Sequence, residues 1–370
     1  MTHDLLRRLL LHPEAAGELR LADWDRLLPL ARRAGVLGRI RHRLAGGGLL
    51  PRVPEPVRPH LESAAVIAAE HERRVRWEVN RIRRALAELD CPIVLLKGAA
   101  YVLAGLACAG GRLTSDVDIL VPREQLGAVE QALRRHGWET AKPDEYDQQY
   151  YRRWMHELPP LRHRLRQTVV DVHHTILPRT SRLRPDPARL LAAARPLDGG
   201  PLRVLAAPDM VLHSAAHTFY DGELNPFLRD LLDLHDLLTE FAAADAGFWP
   251  ALAPRARQLD LERPLFYALR YARRFLDTPV PAAVLEALDA AAPAWPVRRL
   301  MDALAQRTLL AELPPSWSTA GAQRLLYWRS HWLRMPPLLL ARHLLRKSFG
   351  RRGSDATGTN HTGRSRSTHR

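Results

Sequence analysis

The sequence predicts an α+β protein, with a small mixed β-sheet and flanking helices in the middle, helices before it and a helical domain after it. Apolar residues recur at helical spacing near both ends of the chain, whereas short apolar and β-branched runs lie between about residues 91 and 173. The 370 residues are 46% hydrophobic and include two cysteines. This length and composition exclude a disordered protein and a disulfide scaffold.

The N-terminal part is predicted to be helical. The spacing of apolar residues predicts two or three helices over 5–46, with Asp23 as a cap. Three prolines between 51 and 56 then mark a break. A long amphipathic helix is expected over 57–89, with Glu and Arg facing solvent.

The pattern changes at residue 91. The short run CPIVLL at 91–96 predicts a buried strand, and a helix of small residues is expected over 99–107. The run DVDILV at 116–121 predicts a second strand, and Pro122 opens a helix that ends near residue 136.

The remaining segments predict two more strands and then helices alone. A stretch rich in Tyr and Gln at 146–151 is interpreted as a strand, and the β-branched run TVVDVH at 168–173 as another. From residue 208 to about 347 the pattern is helical and no strand is expected. Breaks in these helices are predicted near four sites: Gly222, Pro250, 279–281 and 314–315.

These patterns divide the chain into four segments. We expect an N-terminal helical segment at 1–55, a core that holds the sheet at 56–180, and a helical C-terminal domain at 205–348. The residues at 349–370 are rich in Gly, Ser, Thr and Arg and nearly lack apolar groups, which predicts a disordered basic tail.

The charge of the chain gives little information about its partners. The formal net charge is +15, but residues 341–370 alone hold eight basic residues and one acidic residue. The remaining excess is modest and supports nucleic-acid binding only weakly. The Trp, Leu and Arg of 325–347 would suit a membrane interface, but Pro336 and Pro337 break that helix, so peripheral membrane contact is the less favoured interpretation.

Location is predicted from the cysteines and from the apolar runs. No run approaches about 18 apolar residues, so no transmembrane segment is expected. The N-terminus lacks the apolar core of a secretory signal, and Cys91 and Cys108 show no metal-binding or disulfide spacing. We therefore expect a cytoplasmic protein.

Two acidic residues of the second strand are the sharpest chemical feature. Side chains alternate along a strand, so Asp116 and Asp118 share one face while Val117 and Ile119 point to the core. Neighbouring carboxylates repel unless a cation lies between them, and Mg²⁺ prefers such hard oxygen ligands. A solvated strand edge is the alternative for two such residues taken alone.

Two further groups accompany these carboxylates. Lys97 and Gly98 stand where a strand meets a helix, and such a junction can hold phosphate on backbone N–H groups, although ordinary turn chemistry also explains the pair. Asp171 and His173 share one face of the later strand. Asp171 would be the third carboxylate of a two-metal site, and a buried Asp-His pair is the alternative.

Taken in order, these motifs resemble the nucleotidyltransferase superfamily of DNA polymerase β and the aminoglycoside nucleotidyltransferases. The pattern is similar to that of an uncharacterised bacterial family in it, with a Lys-Gly after the first strand, an Arg four residues before an Asp-x-Asp strand, and a later Asp-x-His strand. This chain has Lys97-Gly98, Arg112, the strand at 116–121 and Asp171-Val172-His173. The resemblance covers about residues 90–180, and the helices from residue 208 on also look like that family.

The resemblance implies a nucleotidyltransferase-like fold, a Mg²⁺ site that holds two ions, and an NTP as substrate. It implies three metal ligands and catalytic residues: Asp116, Asp118 and Asp171. It implies nucleotide contacts by five further residues: Lys97, Gly98, Arg112, Ser115 and His173. The acceptor of the nucleotidyl group is unknown.

One departure keeps a second interpretation open. The wider superfamily usually has Gly-Ser where this chain has Gly98-Ala99. The first hypothesis is a Mg²⁺-dependent transferase that moves a nucleoside monophosphate to a hydroxyl-type acceptor. The alternative is a weak or inactive nucleotidyltransferase-fold protein that acts as an accessory or binding module.

Two other patterns have simpler explanations. His213 and His217 stand four residues apart on a predicted helix, a spacing that suits one Zn²⁺, but the glutamate of a metalloprotease motif is missing. Structural histidines that line a cleft are favoured. Three aspartates, Asp230, Asp233 and Asp236, are interpreted as a solvated or ion-paired helix face, with a smaller chance that Asp230 or Asp233 faces the site.

Overall fold

The computed structural model describes residues 2–142, 144–197, 200–221, 227–309 and 316–335. The α-helices in chain order are α1 Thr2–Leu11, α2 Leu21–Arg33, α3 Leu37–Gly46, α4 Arg58–Ala85, α5 Lys97–Leu103, α6 Leu126–Arg135, α7 Glu145–Trp154, α8 Pro187–Ala193, α9 Ala207–Ala216, α10 Phe227–Ala244, α11 Phe248–Gln258, α12 Glu262–Leu276, α13 Ala282–Glu286, α14 Trp295–Leu309 and α15 Trp317–Arg334. The strands are β1 Ile93–Leu95, β2 Asp116–Leu120, β3 Trp138–Thr140, β4 Leu161–His163, β5 Val169–His173, β6 Arg195–Pro196 and β7 Leu202–Val204.

The N-terminal helices agree with the prediction, because α1, α2 and α3 fill the segment interpreted as two or three helices. Asp23 occupies the third position of α2. Its carboxylate accepts a hydrogen bond from the backbone N–H of Arg20 (3.1 Å) and so occupies a donor that the helix leaves unused.

The long helix α4 confirms the helix predicted after the prolines. Its buried positions Leu61, Ala68, Val75, Val79 and Ile82 recur at steps of three, four and seven residues, so they form one apolar stripe. The opposite face carries exposed arginines paired with glutamates one turn away, such as Arg76 with Glu72. The helix packs against α3 and α5, beside the start of the sheet.

The fold is α+β, as predicted, and is built on one mixed sheet. The strand order is β3-β4-β5-β2-β1-β7-β6. Strands β2 and β5 are parallel neighbours, β1 pairs antiparallel with β2, and β7 pairs parallel with β1. The two motif-bearing strands therefore lie side by side in the middle of the sheet, with the Lys97-Gly98 junction at the end of the next strand.

One predicted element is wrong. The segment 146–151 is part of α7 and forms no strand. Its tyrosines favoured a strand, but Tyr150 and Trp154 are one helical turn apart, with ring centroids separated by 5.7 Å. Arg152 anchors the helix by two hydrogen bonds to the carboxylate of Glu130 (2.8 and 2.9 Å). Side-chain contacts thus outweigh β propensity here.

Four strands have no counterpart in the prediction. Strands β3, β4, β6 and β7 have two or three residues each, so they are too short to show a period of two. Strands β6 and β7 belong to the same sheet but lie after residue 180, between the predicted second and third segments. The division of the chain into four segments stays a prediction.

The C-terminal part is helical throughout its described residues, as predicted. The break at 279–281 lies between α12 and α13, whereas α11 begins at Phe248 and carries Pro250 in its first turn. The breaks predicted near Gly222 and at 314–315, the break at Pro336 and Pro337, and the basic tail lie outside the described residues. Among the described helices, none combines the length and the apolar character needed to cross a membrane.

Candidate active site

The three aspartates meet on two neighbouring strands. Asp118 on β2 is the direct register partner of Asp171 on β5. Partners on parallel strands point to the same face, and Asp116 shares that face because it lies two residues before Asp118. Asp116 is exposed, Asp118 is 6% exposed, and Asp171 is partly buried. The structure therefore groups three carboxylates on one face of the sheet, on its two central motif-bearing strands.

Asp118 is held in its ionised form by two cationic or donor groups. Its Oδ1 lies 3.6 Å from Lys97 Nζ and 3.0 Å from His173 Nε2. Burial by itself raises the pKa of Asp118, but the Lys97 ammonium and the hydrogen bond from His173 outweigh burial and hold the pKa of this carboxyl well below its usual range.

Asp171 has the opposite environment. Its Oδ1 is buried and has no hydrogen-bond partner among the described residues. Burial, followed by the carboxylates of Asp118 and Asp116, raises the pKa of Asp171 to about 7. The ammonium groups of Lys97 and Lys142 offset these effects only in part.

The Lys97-Gly98 junction has a strained backbone. Lys97 has φ of 44°, in the left-handed region, which costs a non-glycine residue about 1 kcal/mol. This turn starts α5 directly after β1 and aims the Lys97 ammonium at Asp118. The helix begins its hydrogen bonding with the bond from Ala100 N to Leu96 O (3.3 Å), so the N–H groups of Gly98 and Ala99 are not used inside the helix.

Gly98 is required by a close approach of two chain segments. A Cβ at this position would lie 2.5 Å from Thr114 Cγ2 and 2.6 Å from a guanidinium nitrogen of Arg112. These distances leave no room for any side chain. The loop before β2 therefore lies directly against the start of α5.

A cleft opens beside these residues, with a volume of about 170 Å³. One wall is formed by Lys97, Gly98 and the loop that leads into Asp116 and Asp118, and the other by α9, the π-helical turn His217–Asp221 that follows it, and α10. Ser115 is an exposed residue of the cleft lining, and its hydroxyl donates to Asp116 Oδ1 (3.4 Å). The hydroxyls of Thr114, Ser214 and Thr218 belong to residues that line the cleft as well.

Arg112 lies in the cleft wall and is paired with Asp233. Its Nε donates to Asp233 Oδ2 (2.9 Å) and a terminal nitrogen donates to Thr114 Oγ1 (2.9 Å). The structure thus gives Arg112 an internal partner, in addition to its place beside the cleft. Asp230 lines the same cleft and pairs with Arg229.

Asp233 and Asp236 are buried and ion-paired, which agrees with the ion-paired alternative and excludes a solvated face. Arg39 of α3, 1% exposed, bridges both carboxylates and the Cys108 carbonyl. Sequence reasoning missed Arg39, since nothing in the local sequence distinguishes it from the many other arginines of the chain.

The histidines occupy different positions around the site. His217 lines the cleft, whereas His213 is buried, and burial together with the Lys97 ammonium holds the pKa of His213 well below its usual value. These positions agree with the structural histidines that the sequence favoured. His173 contacts Asp118, approaches Glu157 Oε2 at 3.4 Å and packs against His156. Sequence reasoning missed His156 and Glu157, which follow a helix and carry no motif.

A comparison with known protein families covers the residues of this cleft. Residues 20–277, more than two thirds of the chain, match a family described as uncharacterised nucleotidyltransferases. The chain therefore belongs to this nucleotidyltransferase family. Neither a curated protein nor a solved structure matches the chain.

Proposed function

We propose that this protein transfers a nucleoside monophosphate from an NTP to a hydroxyl-type acceptor in a Mg²⁺-dependent reaction. The observation that supports it most is the register of β2 and β5, which places Asp118 opposite Asp171, with Asp116 on the same face and Lys97 beside them. Family membership supports the same class of reaction.

The residues present fit divalent cations. The donor set is three carboxylates, which suits Mg²⁺ better than softer metals. The Asp171 oxygen, which has no hydrogen-bond partner in the described part of the chain, and the raised pKa of Asp171 are the features that a nearby cation would compensate. When bound, two Mg²⁺ ions would neutralise the charge on the transferring phosphate and acidify the acceptor hydroxyl. Asp116, Asp118 and Asp171 would hold them.

The other residues would bind and orient the substrates. Lys97 would bring a positive charge to the phosphates, and Gly98 would let them approach the free N–H groups at the start of α5. Ser115 would contact phosphate from the cleft lining. Arg112 would offer its remaining N–H to phosphate while Asp233 fixes its orientation, and His173 would keep Asp118 in place by its hydrogen bond.

Asp171 would receive the proton of the acceptor hydroxyl or orient that hydroxyl. Its partly buried position opposite Asp118 suits a group that acts next to the proposed metal ligands. The acceptor would enter the cleft that lies between the start of β2 and the helices α9 and α10. Ser214 and His217 line this cleft and offer polar contacts. The free thiols of Cys91 and Cys108 fit a cytoplasmic location for this reaction.

A label experiment tests the reaction itself. Each NTP, labelled at the α-phosphate in one reaction and at the γ-phosphate in a matched reaction, is incubated with the protein, Mg²⁺ and a cell extract as the source of acceptor. We expect the α label on a new product and the γ label in pyrophosphate, with neither seen for Asp116→Asn/Asp118→Asn. Label from the γ position on the product would show phosphoryl transfer and contradict the proposal.

A nucleotide-binding module without transfer is the second candidate. It is favoured by Ala99, which stands where the superfamily usually has a serine, so no hydroxyl is available at that position. Ala99 is 1% exposed and does not line the cleft. In the label experiment this candidate predicts Mg²⁺-dependent NTP binding with no labelled product for any NTP.

A further inference from the structure

We propose that His156, Glu157 and His173 form a binding site for a transition-metal ion of the Zn²⁺ type, separate from the three aspartates. These residues each offer one ligand atom, and the three atoms lie within 4.8 Å of one another. The proposal does not rest on nucleotidyl transfer, because it needs only these three side chains.

The spacing of the donor atoms suits such an ion. Glu157 Oε2 lies 3.4 Å from His173 Nε2. Two ligands of a tetrahedral zinc ion, each about 2.1 Å from the metal, are separated by about 3.4 Å. The imidazole of His156 lies beside that of His173, with ring centroids 5.1 Å apart. The widest separation, up to 4.8 Å, would therefore have to shrink by at most about 1.4 Å to reach zinc geometry.

Paired backbones hold the three residues together. Glu157 and His173 face each other in an isolated β-bridge, next to the hydrogen bond from Leu158 N to Val172 O (2.9 Å). The backbone N–H of His174 donates to the carbonyl of His156 (2.9 Å). Main-chain hydrogen bonds between two adjacent segments thus fix the positions of the three side chains relative to one another.

The donor types separate this site from the carboxylate site. Two imidazoles and one carboxylate are typical of Zn²⁺ or a similar transition metal, whereas Mg²⁺ prefers oxygen ligands. His156 is 5% exposed and His173 is 1% exposed, so two ligands are shielded from water, while the more exposed Glu157 gives access. His173 Nε2 also lies 3.0 Å from Asp118 Oδ1, so this nitrogen would give up its hydrogen bond to Asp118 when it binds the ion, and the ion would lie next to the carboxylate site.

Cobalt binding tests the proposal. The full chain is freed of metal with a chelator and titrated with Co²⁺, whose visible absorption reports a tetrahedral site, and Zn²⁺ is then added as competitor. We expect one saturable site with tetrahedral absorption, and Zn²⁺ should abolish that absorption. His156→Ala and Glu157→Gln should each weaken Co²⁺ binding by about tenfold or more. His60→Ala, which removes an exposed histidine on α4, should leave it unchanged.

Two further variants locate the ion. Asp116→Asn should keep the Co²⁺ spectrum even if it loses nucleotide binding, so the metal site and the transferase reaction can fail separately. Absence of a saturable site in the folded wild type would overturn the proposal. Co²⁺ binding that is lost in His217→Ala or Asp116→Asn, but retained in both His156→Ala and Glu157→Gln, would also overturn it. Far-ultraviolet circular dichroism checks that each variant is folded. If His156→Ala does not fold, Glu157→Gln alone tests the cluster.

Discussion

At the scale of single residues, the junction at Lys97 and Gly98 shows why few substitutions would be tolerated there. Lys97 adopts a left-handed backbone that an L-residue tolerates only at a cost, and Gly98 lies where any Cβ would overlap Thr114 and Arg112. Both features bring the Lys97 ammonium close to Asp118. Strain of this kind is expected where a site, and not the fold alone, fixes the backbone.

A glycine substitution tests the close approach. Gly98→Ala should destabilise the protein by about 1–3 kcal/mol, because the added methyl group forces Thr114 or Arg112 to move. NTP binding should weaken as well. Gly127→Ala on α6 is the matched control, since a Cβ there would meet nothing within 4 Å, and it should be neutral or slightly stabilising. Denaturant unfolding measures the stability of both variants. Equal changes in the free energy of unfolding for Gly98→Ala and Gly127→Ala would contradict the steric explanation.

At the scale of elements, buried charges join three parts of the fold. Arg39 on α3 and Arg112 in the loop before β2 both pair with Asp233 on α10. Arg43 adds a bond to Asp236 on the same helix (2.5 Å). The network fixes the cleft wall on α10 against the N-terminal helices and against the loop that leads to Asp116.

Removal of the central carboxylate should therefore be costly. Asp233→Asn would leave Arg39 and Arg112 buried with reduced compensation, and we expect a loss of about 3 kcal/mol. The control Glu62→Gln breaks the exposed pair with Arg41 and should cost less than about 1 kcal/mol. Thermal unfolding of both variants gives the comparison. A loss for Asp233→Asn no larger than that of the control would show that the network does not hold these elements together.

The elements that carry motifs were predictable, and the short ones were not. Strands β1, β2 and β5 have apolar or β-branched runs, and these runs predict a strand from the local sequence alone. Strands β3, β4, β6 and β7 are recognisable only by their partners in the sheet. The helix α7 was predicted as a strand because tyrosine favours strands, and its contacts with Glu130 cannot be read from the local sequence.

At the scale of the whole molecule, buried histidines make stability depend on pH. Burial lowers the pKa of His174 to about 4 and lowers the pKa values of His213 and His235 below 6.5. In the folded protein these imidazoles take up protons at lower pH than in the unfolded chain, where they do so below about pH 6.5. The unfolded state then binds more protons, so the free energy of unfolding should fall as the pH is lowered from 7 to 5.

Denaturant unfolding between pH 5 and 7.5 measures this dependence. His235→Asn should reduce its slope relative to the wild type, whereas His60→Asn, at an exposed position, should not. Asp171 contributes with the opposite sign, because its raised pKa favours the folded state at low pH, but this contribution is common to all three proteins and cancels in the comparison. An unchanged slope for His235→Asn would contradict the assignment.

The composition of the site was predictable in part. Asp116, Asp118 and Asp171 could be proposed because strand alternation puts Asp116 and Asp118 on one face, and because the order of the motifs resembles that of the nucleotidyltransferase superfamily. The register of β2 and β5, the partner of Arg112 and the cluster of His156, Glu157 and His173 depend on contacts between residues far apart in sequence. Only the folded chain shows these contacts.

The most direct test of the whole account is calorimetric binding of each of the four NTPs, with Mg²⁺ or with EDTA. We expect Mg²⁺-dependent binding of at least one NTP to the wild type and to Asp25→Asn, which changes an exposed aspartate on α2. The variant Asp116→Asn/Asp118→Asn, folded but lacking two of the proposed metal ligands, should lose it. No NTP binding by the folded wild type, or binding that EDTA and the double variant leave unchanged, would contradict a nucleotide site at these aspartates.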